Sequence, residues 1–363
     1  MKIRLAHIAW LMLLAIVVVS GCKSVATTSA ILRNQEGNYD LAIGYAKQAL
    51  QENPRDAEAY FQLGISYSNL DSVALAYENF QKSVELDPSD KRKELAENNI
   101  KHNYSKHYNS GQAAFQDKEY NAAAEEFIAA TQADPRQSVA YYNLGVAYSR
   151  LAAEDSTYHE RSIEALEQCL EKSTPDQSHY IDALGLVGRE LAEVGRVEEA
   201  VSRFNRLVEE DPANYDVIER LGVQRFNNQD WKAANMFLKM AADARIKIGA
   251  EDFKLYYDLG RVNYFMREED PEALNRAIYY YEKALELETE DAQTMMNLII
   301  AYMAKEDWSS GIAWGEKYIN IWPDDERGWR LLSMSYSKIG DKEKARQCAE
   351  KYAEIMAKKE QGQ

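Results

Sequence analysis

The side chains that could take part in catalysis or metal binding are those of the histidines and of the numerous acidic residues. His102 and His107 are five residues apart, so they cannot share one helix face as an i, i+4 metal-binding pair does. His159 and His179 have no Cys or carboxylate at the spacing of metal ligands. We therefore expect surface histidines and no metal site.

The carboxylate pairs do not form an organised reaction centre either. Glu209 and Glu210, like the acidic run at 268–270, fall at expected helix ends or loops. Glycosidase and calcium sites need more ordered carboxylates, and no zinc-protease, nucleophile-elbow or phosphate-loop motif is present. We expect a chain without catalytic residues and without a cofactor, and an enzyme is the least supported interpretation.

The first 22 residues combine a basic start, an apolar run and small residues before a cysteine. Lys2 and Arg4 precede the apolar run from Leu5 to Val19, and Gly21 precedes Cys22. Signal peptidases accept small residues before the cleavage site. The stretch resembles the lipobox of bacterial lipoproteins, although a retained membrane anchor is the alternative. That alternative needs roughly 20 apolar residues, which is longer than this run.

The lipoprotein resemblance implies a signal peptide over 1–21 and acyl chains, palmitate among them, on Cys22. Several acyl chains give stable attachment to a bilayer where one does not. In enterobacterial lipoproteins, an Asp after the lipid-bearing Cys retains the protein at the inner membrane. Lys23 stands there, so the resemblance implies an outer-membrane location facing the periplasm.

The charge of the chain restricts its partners. It has 43 Lys and Arg against 59 Asp and Glu, a formal net charge of −16. An acidic chain of this kind repels nucleic acid and anionic lipid headgroups. We therefore expect protein partners, membrane attachment through the lipid anchor alone, and no nucleic-acid partner. A solvated acidic surface remains the simplest explanation of the charge itself.

A pattern of aromatic, small and proline residues recurs about every 34 residues. Its clearest copy contains, in order, Tyr60, Leu63, Gly64, Tyr67, Ala76, Phe80, Ser83 and Pro88. Small residues at Gly64 and Ala76 let two helices approach closely, and Pro88 ends the second helix because it has no amide hydrogen to donate. The pattern is similar to that of the tetratricopeptide repeat family, and about nine copies cover nearly the whole chain after Cys22.

This second resemblance implies an all-α solenoid, a right-handed superhelix of antiparallel helix pairs. We predict N-terminal repeats over 22–90, an insertion over 91–103, a main array over 104–359 and a polar tail over 360–363. We expect the insertion to extend the next helix toward solvent. Longer loops are predicted near 153–158 and 268–275, between the two helices of their repeats.

In such repeats the first helix of each pair lines a concave groove. At its groove positions, the residues that packing does not require are Tyr142, Arg189, Phe226, Tyr257, Arg261, Tyr264, Met296, Met303 and Arg330. Aromatics, Met and Arg are typical of protein-binding hot spots, although ordinary variation on a solenoid face explains them equally well. Some relatives clamp a peptide carboxylate with Lys and Asn, but Ile65, Gln112 and Val146 stand where that Asn would be. The clamp is therefore not carried over.

Two functions are compatible with this groove. The first is a membrane-tethered scaffold that recruits protein components of the cell envelope. The second is a periplasmic or extracellular protein that binds a glycan or small ligand on stacked aromatics. Exposure of Tyr142, Tyr257 and Tyr264 in one groove would favour the second function, and their burial would count against it.

Overall fold

The computed structural model describes residues 24–360 as a succession of α-helices, with one 3-10 turn and no strand in this part of the chain. The predicted signal peptide, the lipidation residue Cys22 and residues 361–363 of the predicted tail lie outside the described residues. Among the helices of 24–360, none has the length and apolar character needed to cross a membrane.

The chain divides into two compact units between Ala183 and Leu184. The helices of the first unit are α1 (Val25–Gln35), α2 (Tyr39–Glu52), α3 (Ala57–Asn69), α4 (Val73–Leu86), α5 (Asp90–Gln116), α6 (Tyr120–Ala133), α7 (Ser138–Leu151) and α8 (Tyr158–Lys172). The division falls within α9 (Ser178–Glu193). The second unit continues with α10 (Val197–Glu210), α11 (Tyr215–Asn227), α12 (Trp231–Lys247), α13 (Phe253–Met266), α14 (Ala273–Leu287), α15 (Ala292–Ala304), α16 (Trp308–Ile321), α17 (Glu326–Lys338) and α18 (Lys342–Glu360).

In six of the helix pairs of residues 24–360, a glycine on the first helix accepts a large side chain from the second, a ring in four pairs and a leucine in two. A Cβ added to Gly64 would lie 2.6 Å from the ring of Phe80, and a Cβ on Gly188 would lie 2.6 Å from the ring of Phe204. Both rings are fully buried. Only a missing side chain permits this approach, so the small positions that the sequence repeats hold the helix pairs together. The predicted all-α solenoid of helix pairs is confirmed.

Most of the turns inside the pairs pass through one residue in the left-handed region. These residues are Gly37, Asp71, Lys118, Gly195, Gln229, Glu306 and Gly340. The next backbone amide then donates to a carbonyl five residues earlier, as from Ser72 to Tyr67 at 2.9 Å, which satisfies a carbonyl at the helix end. The exceptions are the α7–α8 and α13–α14 connections, where the two longer loops were predicted.

Helix α5 runs without a break over Asp90–Gln116, so the insertion extends the next helix as expected. The expectation that the added turns point toward solvent is wrong for one of their faces. Ala96 and Ile100 are each 1% exposed and pack against Phe61 of α3. The guanidinium of Arg92 lies 4.6 Å from the same ring. The insertion therefore joins the second helix pair to the third.

Candidate functional site

The second unit contains a cavity of about 310 Å³ that brings three predicted site residues together. Helices α13, α14 and α15 contribute its walls. We name it the arginine pocket, and its lining residues are Tyr257, Arg261, Tyr264, Phe265, Tyr281, Gln293, Asn297 and Ile300.

The sequence of α13 explains why three of these side chains share one wall. Tyr257, Arg261 and Tyr264 have the spacing i, i+4, i+7, which places them on one face of a helix. Leu259 and Val262 lie fully buried on the core side of the same helix. Burial of that face fixes the rotation of α13, and the pocket residues are presented as a consequence.

Arg261 is held by aromatic faces. Its guanidinium carbon lies 4.4 Å from the ring centroid of Phe226 and 5.6 Å from that of Tyr257. A planar guanidinium stacks favourably on such rings. The carboxylate of Asp258 is 3.8 Å away, beyond hydrogen-bonding distance. Within residues 24–360 the guanidinium of Arg261 makes no hydrogen bond, so its N–H groups remain available to a ligand.

Phe226, which contacts Arg261, belongs to a cluster of three aromatic rings that also contains Trp231 and Phe265. Trp231 stacks on Phe265 with ring centroids 4.7 Å apart and an interplanar angle of 12°. Phe226 meets the edge of Trp231 at 5.1 Å. Phe265 nevertheless remains 45% exposed. Rigid, partly exposed rings of this kind are typical anchors for a partner's apolar side chain.

Helix α15 supplies amide groups to the opposite wall. The Nε2 of Gln293 donates to the Oδ1 of Asn297 at 3.1 Å. This contact uses one lone pair of the Asn297 oxygen and leaves the NH₂ group of Asn297 as a donor. Tyr281 lines the same pocket but is only 2% exposed, and burial raises the pKa of its hydroxyl, which keeps that group neutral.

The first unit has a pocket of about 280 Å³ between α5 and α7. We name it the amide pocket, and its lining residues are Gln112, Phe115, Gln116, Phe127, Tyr142, Asn143 and Val146. The hydroxyl of Tyr108 accepts from Gln112 at 3.1 Å and from Asn143 at 2.9 Å. Burial raises the pKa of Tyr142. No charged side chain is among the described residues that line this pocket, unlike the arginine pocket.

The predicted groove residues do not all lie in one site. Tyr142 lines the amide pocket, whereas Tyr257, Arg261 and Tyr264 line the arginine pocket, and all four are half-buried. Phe226 lies beneath Arg261. The two exposed arginines that lie outside both pockets are Arg189, whose Nη2 is 3.0 Å from Glu190, and Arg330 on α17.

The prediction that Met296 lines the groove was wrong. It is 5% exposed and belongs to the core formed by α14–α17. Its neighbours Gln293 and Asn297 take the pocket positions on α15, because the core-facing side of that helix is wider than the repeat pattern implies. Met303 is half-buried against the same core and lies outside both pockets.

The expectation of surface histidines holds for His102 but is wrong for His107. His107 is 4% exposed, with Nδ1 at 2.8 Å from Glu126 and Nε2 at 3.3 Å from Asp71. It thus fastens α5 to α6 and to the turn before α4. The Nε2 of His179 lies 2.8 Å from the hydroxyl oxygen of Ser138, and burial lowers the pKa of the imidazole. In the described part of the chain, no three His, Cys, Asp or Glu side chains are grouped to hold a metal.

Five residues that line the arginine pocket were not predicted from the sequence as site residues. Phe265 directly follows Tyr264, Tyr281 lies on α14, and Gln293, Asn297 and Ile300 form one face of α15. The i, i+4 spacing of Gln293 and Asn297 between apolar neighbours was the available signal. The pattern of a single repeat does not indicate which face of α15 meets α13.

Comparison with known families agrees with the helix pairs. Residues 29–91 and residues 327–357 each match a family model described as Tetratricopeptide repeat. Tetratricopeptide repeats are therefore present near both ends of the chain. No curated protein sequence matches it.

Several solved structures are similar to parts of the chain. "YrrB: a TPR protein with an unusual peptide-binding site" is 24% identical, with 55% of this chain and 92% of that chain covered and a TM-score of 0.32. MamA from Desulfovibrio magneticus RS-1 is 21% identical, with 53% and 99% covered and a TM-score of 0.27. The P58(IPK) TPR domain is 11% identical, with 87% and 98% covered and a TM-score of 0.29. None of these similarities is close enough to assign a function.

Proposed function

We propose that this chain is a protein-interaction scaffold, and that its arginine pocket binds an extended segment of a partner. The observation that carries the proposal is the convergence of Tyr257, Arg261 and Tyr264 on one cavity of about 310 Å³. Grooves between repeated helices commonly receive peptides or protein surfaces. The repeats matched near both ends of the chain support the same interpretation.

The proposed role is binding without catalysis. The pocket wall consists of rings, amides, an aliphatic side chain and a guanidinium. The described lining residues supply tyrosine hydroxyls, but no carboxylate, imidazole or thiol that could act with them as a base or nucleophile. Affinity, not turnover, is therefore the property that the pocket is built to supply.

We also propose attachment to the outer membrane, facing the periplasm, through acyl chains on Cys22. The basic start, the apolar run and the Gly21–Cys22 pair support this part of the proposal. Helix α1 begins at Val25, so a lipid on Cys22 would hold the first helix pair at the bilayer surface. The scaffold would then gather components of the cell envelope at the membrane.

The test is an affinity pull-down from detergent-solubilised membranes. Wild type is compared with a variant carrying Tyr257→Ala, Arg261→Ala and Tyr264→Ala. The control variant carries Tyr279→Ala and Arg220→Ala, which remove an exposed ring and an exposed cation outside the pocket. We expect a partner to be retained by wild type and control and lost by the pocket variant, with circular dichroism unchanged. Equal capture by all three proteins would refute the pocket assignment.

A glycan-binding role is the second candidate, and the exposed Phe265 beside the amides of α15 favours it. Sugar rings stack on exposed aromatic faces, and their hydroxyls pair with amides. Titration calorimetry with oligosaccharides of the cell envelope tests this candidate. Saturable heat in wild type that is absent from Phe265→Ala would support it, whereas no heat in wild type would reject it.

A further inference from the structure

Two residues that line the arginine pocket present hydrogen-bond donors to its interior. Arg261 has N–H groups with no hydrogen-bond partner among residues 24–360, and Asn297 has an NH₂ group beside the oxygen that accepts from Gln293. A guanidinium has no acceptor at all. Water reaches these donors in the free chain, so a ligand that displaces this water must supply acceptor atoms in its place.

The local charge favours an anionic acceptor. The nearest acidic side chain is Asp258, and its Oδ2 is already 2.7 Å from the ammonium of Lys254. Arg267 lies 4.3 Å from the ring of Tyr264 and 3.4 Å from Glu268. The positive charge of Arg261 is therefore only partly balanced, because the carboxylate 3.8 Å from it is shared with Lys254.

The rest of the pocket is apolar. Phe265 and Ile300 line it together with the rings of Tyr257 and Tyr264. A small inorganic anion would leave these surfaces in contact with water, whereas a carboxylate beside an apolar side chain would satisfy both parts of the wall.

Building on the proposed scaffold function, we propose that the arginine pocket selects acidic peptide segments in which a carboxylate side chain adjoins an apolar one. The stacked guanidinium of Arg261 would pair with the carboxylate, and Phe265 would contact the apolar neighbour. Because the amide pocket has no charged side chain on its wall, we expect the preference for a carboxylate to depend on the arginine pocket.

The test uses two fluorescein-labelled, C-terminally amidated hexapeptides, one alternating Phe and Glu and the other alternating Phe and Gln. Their affinities for the full chain are measured by fluorescence polarisation at constant ionic strength. We expect wild type to bind the Glu peptide about ten-fold more tightly, or better, as a charge-assisted pair allows. Arg261→Gln should reduce this ratio to about one.

Two further variants separate charge from shape. Arg220→Gln removes the same charge from an exposed ion pair on α11 and should keep the wild-type ratio. Phe265→Ala should lower the affinity for both peptides equally.

Equal binding of the two peptides by wild type, weakened by Phe265→Ala, would overturn the carboxylate preference but leave the scaffold proposal standing. Absence of binding to either peptide would also overturn the inference, and the pull-down would then decide the scaffold role independently.

Discussion

Asp325 illustrates how a single carboxylate can connect two repeats. It accepts a hydrogen bond from the hydroxyl of the buried Tyr318 on α16 and caps α17 through the amide of Arg327 at 3.0 Å. The Arg327 guanidinium lies 2.7 Å from the same carboxylate. Hydrogen bonding from Arg327 lowers the pKa of Asp325 to about 2, from 3.8 in an unperturbed side chain.

This shift predicts a defined pH dependence. A lowered folded-state pKa contributes stability that is fully present above about pH 4 and is lost as the pH falls toward 2. We expect Asp325→Asn to destabilise the protein by about 1–2 kcal/mol at pH 7, a range that allows for solvent screening of Arg327. The measurement is urea unfolding, and the difference between wild type and variant should shrink below pH 4. The exposed neighbour change Asp324→Asn should have no such effect.

Arg245 gives a second prediction about a buried charge. It is 8% exposed, lies 2.7 Å from Glu219 and 4.8 Å from the ring of Tyr215, and donates to the carbonyl of Ala250 at 2.7 Å. Arg245→Met leaves Glu219 poorly solvated without its partner, so we expect a loss of about 2–4 kcal/mol. In urea unfolding, Arg220→Met should cost less than about 0.5 kcal/mol because its ion pair is exposed. Similar losses in the two variants would contradict this explanation.

Individual site residues were predictable only where one helix determines their position. Tyr257, Arg261 and Tyr264 follow from the periodicity of α13, and they share a pocket. The prediction that Met296 lies in the groove was wrong, and Asn297 was not predicted to line it. Both errors arise because the rotation of α15 depends on its contacts with two other helices. The contact between the Arg261 guanidinium and the Phe226 ring also joins two repeats. The pattern of a single repeat does not indicate which side chains of neighbouring repeats come into contact.

At the scale of helices, two glycines in α-helices have opposite roles. Gly64 of α3 leaves room for Phe80, whereas a Cβ on Gly44 of α2 would meet nothing within 4 Å. The first glycine is required by packing between helices. The second only adds flexibility to the unfolded chain and lowers the helix propensity of α2.

These roles predict effects of opposite sign. Gly64→Ala should lower the free energy of unfolding by about 1–3 kcal/mol, because the added methyl collides with a buried ring. Gly44→Ala should raise it by up to about 1 kcal/mol. Urea unfolding followed by circular dichroism compares the two variants directly. Stabilisation by both substitutions would mean that the close approach of Gly64 to Phe80 is not required.

The helices were largely predictable because the same packing constraint recurs. Most copies pair a small residue with a large one, as Gly64 with Phe80 and Gly188 with Phe204. The extension of α5 was also predicted, but its buried face was not, since Ala96 is buried within a segment of charged and amide side chains. Its burial depends on Phe61 of a different repeat, which the composition of the segment does not indicate.

At the scale of the whole molecule, the main prediction concerns membrane attachment. Cys22→Ser should release the protein from the membrane fraction and remove the acyl mass, because the lipid is the proposed anchor. Cell fractionation and intact-mass spectrometry measure both effects. Lys23→Ala should leave attachment and acylation intact. Membrane retention of Cys22→Ser would instead favour an uncleaved apolar anchor.

The stack of Trp231 on Phe265 also gives the arginine pocket an optical signal of its own. A ligand that covers Phe265 changes the polarity around the neighbouring indole, and therefore its emission wavelength. The other tryptophans of residues 24–360 are Trp308, Trp314, Trp322 and Trp329, on α16, α17 and the turn between them. Subtracting the emission of a Trp231→Phe variant isolates the pocket, so its occupancy can be followed without a label.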